Sequence, residues 1–222
     1  MKPFLALLRR DLELAVREGS AVGAALGFFL IVVAVMPLGL GPDLNLLSRI
    51  APGVLWIALM LAALLSVGRI FEVDAEDGSL EILTTGPLPL EIVAVAKSLA
   101  HWLTTALPLT LLTPALGLLL NLDIGAYPML LASLIIGTPA VSFLGATCAA
   151  MTLRSRRGGL LLALLALPLY IPTLIFGIST INAALTAPAA LGPSFLLLLA
   201  ISLVSIVIAP VATAAVLRLQ LQ

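Results

Sequence analysis

Only 10% of the 222 residues are charged and 62% are hydrophobic, far from the roughly 25% charged of a soluble domain, which this composition excludes. The 11 basic and 11 acidic residues cancel, which argues against a nucleic-acid partner and leaves the information in where each charge falls. The single cysteine, Cys148, rules out an internal disulfide or a Cys-x-x-Cys metal or redox pair.

Residues 2–18 place Leu5, Leu8, Leu12 and Ala15 or Val16 on one helical face, with Lys2, Arg9, Asp11, Glu13, Arg17 and Glu18 largely elsewhere. This pattern predicts an amphipathic helix, either lying in the membrane interface or leading directly into the first span. The acidic residues among these bases argue against a cleaved signal peptide.

A span needs about 20 mostly apolar residues. Uncharged runs of that length lie between Glu18 and Asp43, Arg49 and Arg69, Lys97 and Asp123, Asp123 and Arg154, and Arg157 and Arg218. The last would be roughly 90 Å long as one helix and must fold back. Its polar and turn-forming cluster, Ser179, Thr180, Asn182, Pro188, Gly192 and Pro193, predicts where. An all-α protein of six transmembrane helices follows, near residues 21–41, 50–69, 99–120, 128–152, 158–178 and 194–217. In that arrangement Lys2, Arg9, Arg10, Arg17, Arg69, Lys97, Arg154, Arg156, Arg157 and Arg218 share one side, and Arg49 stands alone on the other. Basic residues accumulate in short cytoplasmic loops, so both termini are expected inside.

Within the spans, Pro37, Pro108, Pro114, Pro139, Pro168, Pro172 and Pro210 are candidate bends. Gly23 and Gly27 form a Gly-x-x-x-Gly pair suited to close helix packing. His101, the only histidine, precedes Trp102 near the inner end of the third span. It is a weak candidate for a haem ligand and a better one for an ordinary hydrogen bond beside an aromatic anchor.

The longest hydrophilic excursion, residues 70–97, carries Glu72, Asp74, Glu76, Asp77, Glu81 and Glu91. Its Asp77-Gly78-Ser79-Leu80-Glu81-Ile82-Leu83 reads as a short helix. Asp77 or Ser79 can cap it, Leu80, Ile82 and Leu83 give it apolar contacts, and Gly86 and Pro87 end it. Such a helix, held between two spans, suits a lever docked against a soluble partner; a solvated loop is the plain alternative.

No catalytic set is legible. Asp74-x-x-Asp77-Gly78 opens like an alcohol phosphotransferase motif but lacks the further aspartates needed to hold a metal. No nucleophile elbow, zinc helix or phosphate loop occurs. The chain is therefore read as a non-enzymatic single membrane domain, 1–222, with no metal site and no cofactor of its own. The span interiors carry no ionisable relay for an ion-coupled carrier.

The excursion, with Glu72, Gly78-Ser79-Leu80-Glu81-x-Leu83, Pro87-Leu88-Pro89-Leu90 and Lys97, resembles the cytoplasmic loop of six-helix ABC exporter permeases. Phe28-Phe29-Leu30-Ile31-Val32, Arg49-Ile50-Ala51-Pro52-Gly53, Ala96-Lys97-x-x-Ala100-His101-Trp102, Gly137-Thr138-Pro139 and Arg157-Gly158-Gly159-Leu160-Leu161 sharpen this. Together they resemble CcmB, the haem exporter protein B family of cytochrome c maturation. The resemblance implies an inner-membrane permease subunit, present with a second copy of itself, that pairs with a separate ATPase, CcmA, and works with CcmC, CcmD and the haem chaperone CcmE. It makes Glu72, Asp77, Gly78, Ser79, Leu80, Glu81, Leu83 and Pro87 the coupling residues. ATP would act on the partner, and haem would be cargo, or ATP would release haem-loaded CcmE. A non-transporting scaffold is the alternative.

Overall fold

The computed structural model describes residues 2–41, 43–155, 157–186 and 192–220. Of the residues expected at turns and loops, Arg156 and Pro188 lie outside these. Among the described residues, six helical stretches are long and apolar enough to cross a membrane: Ser20–Leu40, Leu44–Glu76, Leu90–Leu119, Ile124–Thr152, Gly158–Thr186 and Pro193–Gln220.

Helix α1 (Lys2–Glu18) precedes the first span, α2 (Ser20–Leu40). Gly19 separates them at φ +51°, in the left-handed region that favours glycine. That turn frees α1 to pack against the third span instead of extending the first. The second span, α3 (Leu44–Val67), starts earlier than expected because Asp43 caps it, accepting the amides of Asn45 and Leu46 at 3.0 Å each.

The excursion expected over 70–97 is mostly helix. Beyond Gly68 the second span continues as α4 (Arg69–Glu76), α5 (Ser79–Thr85) follows, and α6 (Leu90–His101) already begins the third span. Trp102–Ala106 then forms a π-helical turn before α7 (Leu107–Leu119). Its closing bond runs from the Leu107 amide to the Trp102 carbonyl, five residues back. Pro108, with no N–H to give, follows at once, so the bend anticipated there is a register change in the backbone.

Helices α8 (Tyr127–Thr152), α9 (Gly158–Thr186) and α10 (Pro193–Gln220) complete the bundle. The fold-back expected from Ser179 onward begins later: α9 runs through Ser179, Thr180 and Asn182 to Thr186. The Thr180 hydroxyl donates to the Phe176 carbonyl at 2.7 Å and that of Thr186 to Ala183 at 3.1 Å. Hydroxyls satisfied on their own helix give it no reason to stop.

The core gathers where α3, α8 and α9 meet. Trp56 is fully buried there, and a Cβ added at Gly137 or Gly177 would collide with its indole, while one at Gly145 would strike the Tyr170 hydroxyl. Without water to drive apolar surfaces together, membrane helices gain by such close approach at small residues. Gly23 and Gly27 do not serve this purpose inside the chain, since nothing lies within 4 Å of a Cβ at either. The packed face of α2 is instead Ala25, Phe29 and Val33, and the two glycines fall off it.

A candidate coupling site at the basic end

Six crossings bring α1, α4, α5, the start of α6, the turn after α8 and the end of α10 to one end of the bundle. Contacts tie them there: Arg218 donates to Glu91 at 2.7 Å, and the Gln220 amide to the Met151 carbonyl at 3.1 Å.

Helix α5 is built as the sequence suggests, with a change at its cap and another at Ile82. Gly78 itself occupies the N-cap at φ +77°, a left-handed conformation costly for any other residue. Asp77 sits one residue earlier and accepts the Ser79 amide at 2.8 Å. Hydrogen bonding to Ser79 holds the Asp77 carboxyl below its ordinary range. The Ser79 hydroxyl turns inward and donates to Asp74 at 2.8 Å.

Two apolar anchors hold this helix. Leu80, 1% exposed, packs in a cluster with Val67 and Phe71, Ala146, Ala149 and Ala150 of α8, Leu162 of α9 and Leu217 of α10. Leu83 and Leu88 lie in a second cluster with Phe4 and Leu7 of α1 and Val93 and Ala96 of α6. Through these two clusters the short helix is tied to α1, α3, α4, α6, α8, α9 and α10. Glu72, Asp77, Gly78, Glu81 and Pro87 remain exposed, and Ile82, 71% exposed, stands among them instead of making the inward contact expected of it.

Beneath α5 lies a charged cluster that the sequence reading missed. Asp74 and Lys97 are 2% and 4% exposed and ion-paired. Arg10 donates to Asp74 at 2.7 Å. Lys97 also reaches Asp11 at 3.1 Å and the Ile70 carbonyl at 3.2 Å, with its ammonium 5.8 Å from the Phe71 ring centre. Burial of the lysine is tolerable because carboxylates and a carbonyl replace its water. Lys97, expected on the solvated inner side, thus joins α6 to α1 and α4. A signal was present: Ala94, Ala96, Ser98 and Ala100 surround it, and a lone cation on a helix of small residues needs a partner.

One turn further, His101 is buried between Ser66 of α3 and Ser142 of α8, 2.9 Å from each. The Ser66 hydroxyl donates to the Ala63 carbonyl at 3.0 Å. That leaves Ser66 to accept from Nε2–H, and Ser142 to donate to Nδ1. Neither ring nitrogen is open to a haem iron in this arrangement. Trp102 donates from Nε1 to Thr138 at 3.0 Å. A cavity of about 110 Å³ lies alongside, lined by Asp11, Ser66, Asp74, Lys97, His101 and Thr105 among others. It can hold a few waters and is well short of the roughly 300 Å³ at which small-molecule pockets begin.

The family model described as CcmB protein matches residues 2–220. The chain is 55% identical over 217 residues to Heme exporter protein B of Paracoccus denitrificans (strain Pd 1222), covering 98% of this chain and 99% of that protein. It is 49% identical over 218 residues to the protein of the same name from Bradyrhizobium diazoefficiens, with 98% of each covered. The corresponding Escherichia coli (strain K12) protein is 42% identical over 221 residues, with 99% of each covered.

Proposed function

The chain belongs to the CcmB protein family, and from that premise we propose that it is the membrane permease subunit of an ABC-type haem export complex serving cytochrome c biogenesis. The observation that carries this is the full-length likeness to proteins named Heme exporter protein B. The short helix α5 supports it, rooted among the span ends by Leu80 and Leu83 and offering Glu81 and Ile82 outward. On this reading both termini face the cytoplasm, the membrane is the bacterial inner membrane, and the chain performs no catalysis. A separate ATPase, CcmA, docks on α5, two copies of the permease face two ATPase domains, and CcmC, CcmD and CcmE complete the machine.

Two outputs are open to such a complex, haem movement across the membrane or release of the haem-loaded chaperone CcmE. The second is favoured by the occupied nitrogens of His101 and by the size of the cavity beside it. Reconstitution separates the two. Complexes in proteoliposomes are given ATP and assayed in parallel for haem inside the vesicle and for free CcmE. Release without haem movement is the expected outcome, and ATP-driven haem accumulation would establish export instead. If a hydrolysis-dead ATPase supports both equally well, the chain is a scaffold.

A further inference from the structure

The basic half of the third span is tied to α5 through Asp74 and ends at a π turn. Lys97 lies in α6, and its ammonium is held by Asp74, by Asp11 and by the Ile70 carbonyl. Asp74 also takes the Ser79 hydroxyl of α5 and the Arg10 guanidinium of α1. One carboxylate thereby joins four helices. Three of these helices, α1, α5 and α6, are also joined by an independent apolar contact, Phe4 and Leu7 with Leu83, Leu88, Val93 and Ala96.

Just beyond this assembly the backbone changes register. His101 and Trp102 pin the start of the π turn to α3 and α8 through Ser66, Ser142 and Thr138. Ser66 also meets Thr105 within the turn at 3.4 Å, so the side-chain contacts gather at the turn itself, and π turns inside helices concentrate at functional positions. The arm on the basic side, Leu90–His101, is the part that Lys97 fastens to Asp74.

We infer that Asp74 is a positioning residue which, through Ser79 and Lys97, makes the Leu90–His101 half of the third span move with α5 about the Trp102–Ala106 turn. This rests on the reading of the chain as an ATP-driven permease. A buried ion pair suits the task, because neither partner can part from the other without leaving a buried charge unpaired. Coupling requires an element with two arrangements that both sites bias, and the inference assigns that part to the Leu90–His101 arm.

The test uses spin-label distances in a Cys148→Ala background, with cysteine pairs at Ile82 and Ile92 (α5 to arm) and at Ile92 and Leu118 (arm to far half). Each chain is assembled with its ATPase in nanodiscs. On adding ATP, the 82–92 distance stays fixed and the 92–118 distance shifts. Asp74→Asn reduces the 92–118 shift to within the width of the nucleotide-free distribution, while ATPase co-purification persists; Asp74→Glu recovers part of it. An undiminished shift in Asp74→Asn, or an 82–92 change as large as the 92–118 change, overturns the inference.

Should Asp74→Asn not fold, Ser79→Ala removes one hydroxyl and leaves the Asp74–Lys97 pair intact. It should broaden the 82–92 distribution of the isolated chain, and an unbroadened distribution counts against Asp74 as the link. That measurement needs no ATPase. Loss of native co-purification therefore strikes the functional reading, and an unchanged 82–92 width strikes the inference.

Discussion

His101 spends both ring nitrogens on serine hydroxyls from two other helices. Interhelical hydrogen bonds in membranes average about 0.6 kcal/mol and reach about 1.7, so His101→Ala should cost about 1–3 kcal/mol, read as a lower unfolding midpoint in detergent. If haem is present in the purified complex, its absorbance spectrum should be the same in His101→Ala; a shifted Soret band would make the histidine an axial ligand after all. The residue was visible in the sequence, but its partners were not, because Ser66 and Ser142 are 35 and 41 positions away. Lys97 and Asp11, 86 positions apart, were equally hidden. Asp74 reads in sequence as one of six acids of the hydrophilic excursion, although it follows Phe71 by three residues and so shares that residue's buried face.

Among the elements, α5 was the most legible. Its left-handed Gly78, apolar Leu80 and terminating Gly86 and Pro87 are local signals, and local signals survive in sequence. Its pH response follows from Asp77. Bonds from Ser79 stabilise the ionised carboxyl, so the folded value lies below the unfolded one. The contribution is complete above the unfolded value, about 3.9 for aspartate, and is lost as pH falls through the lower folded value. Hydrogen exchange at the Ser79 amide, corrected for intrinsic rates, should show protection constant from neutrality to about pH 5 and falling in more acid solution. Asp77→Asn should flatten that fall, and a fall unaffected by the substitution would assign it to another group. The ends of the long helices were read less well. Capping by Asp43 and back-bonding by Thr180 and Thr186 extend α3 and α9 past the limits that hydropathy sets. Hydropathy measures transfer from water and is blind to hydrogen bonds made within a helix.

At the scale of the molecule, the count of six spans was readable because backbone groups in lipid allow few other structures. Sidedness is the matching prediction. Single cysteines at Ile82 and at Ile124, 71% and 77% exposed, mark the two ends of the bundle. An impermeant thiol reagent added outside spheroplasts should label Ile124→Cys and spare Ile82→Cys until the cells are opened. The reverse pattern would turn the protein over and place α5 away from ATP. Cys148, fully buried, should stay silent in both arms.

The chain carries 2 tryptophans, and the fold has set them in contrasting places. Trp56 is sealed in the glycine-lined junction of α3, α8 and α9, while half-buried Trp102 opens the π turn. One indole sits in the close-packed seam and the other at the turn about which the arm is inferred to move. Native fluorescence thus supplies an internal reference and a reporter in the same molecule: with Trp56→Phe, the remaining emission comes from Trp102, and its response to nucleotide is a label-free gauge of the arm.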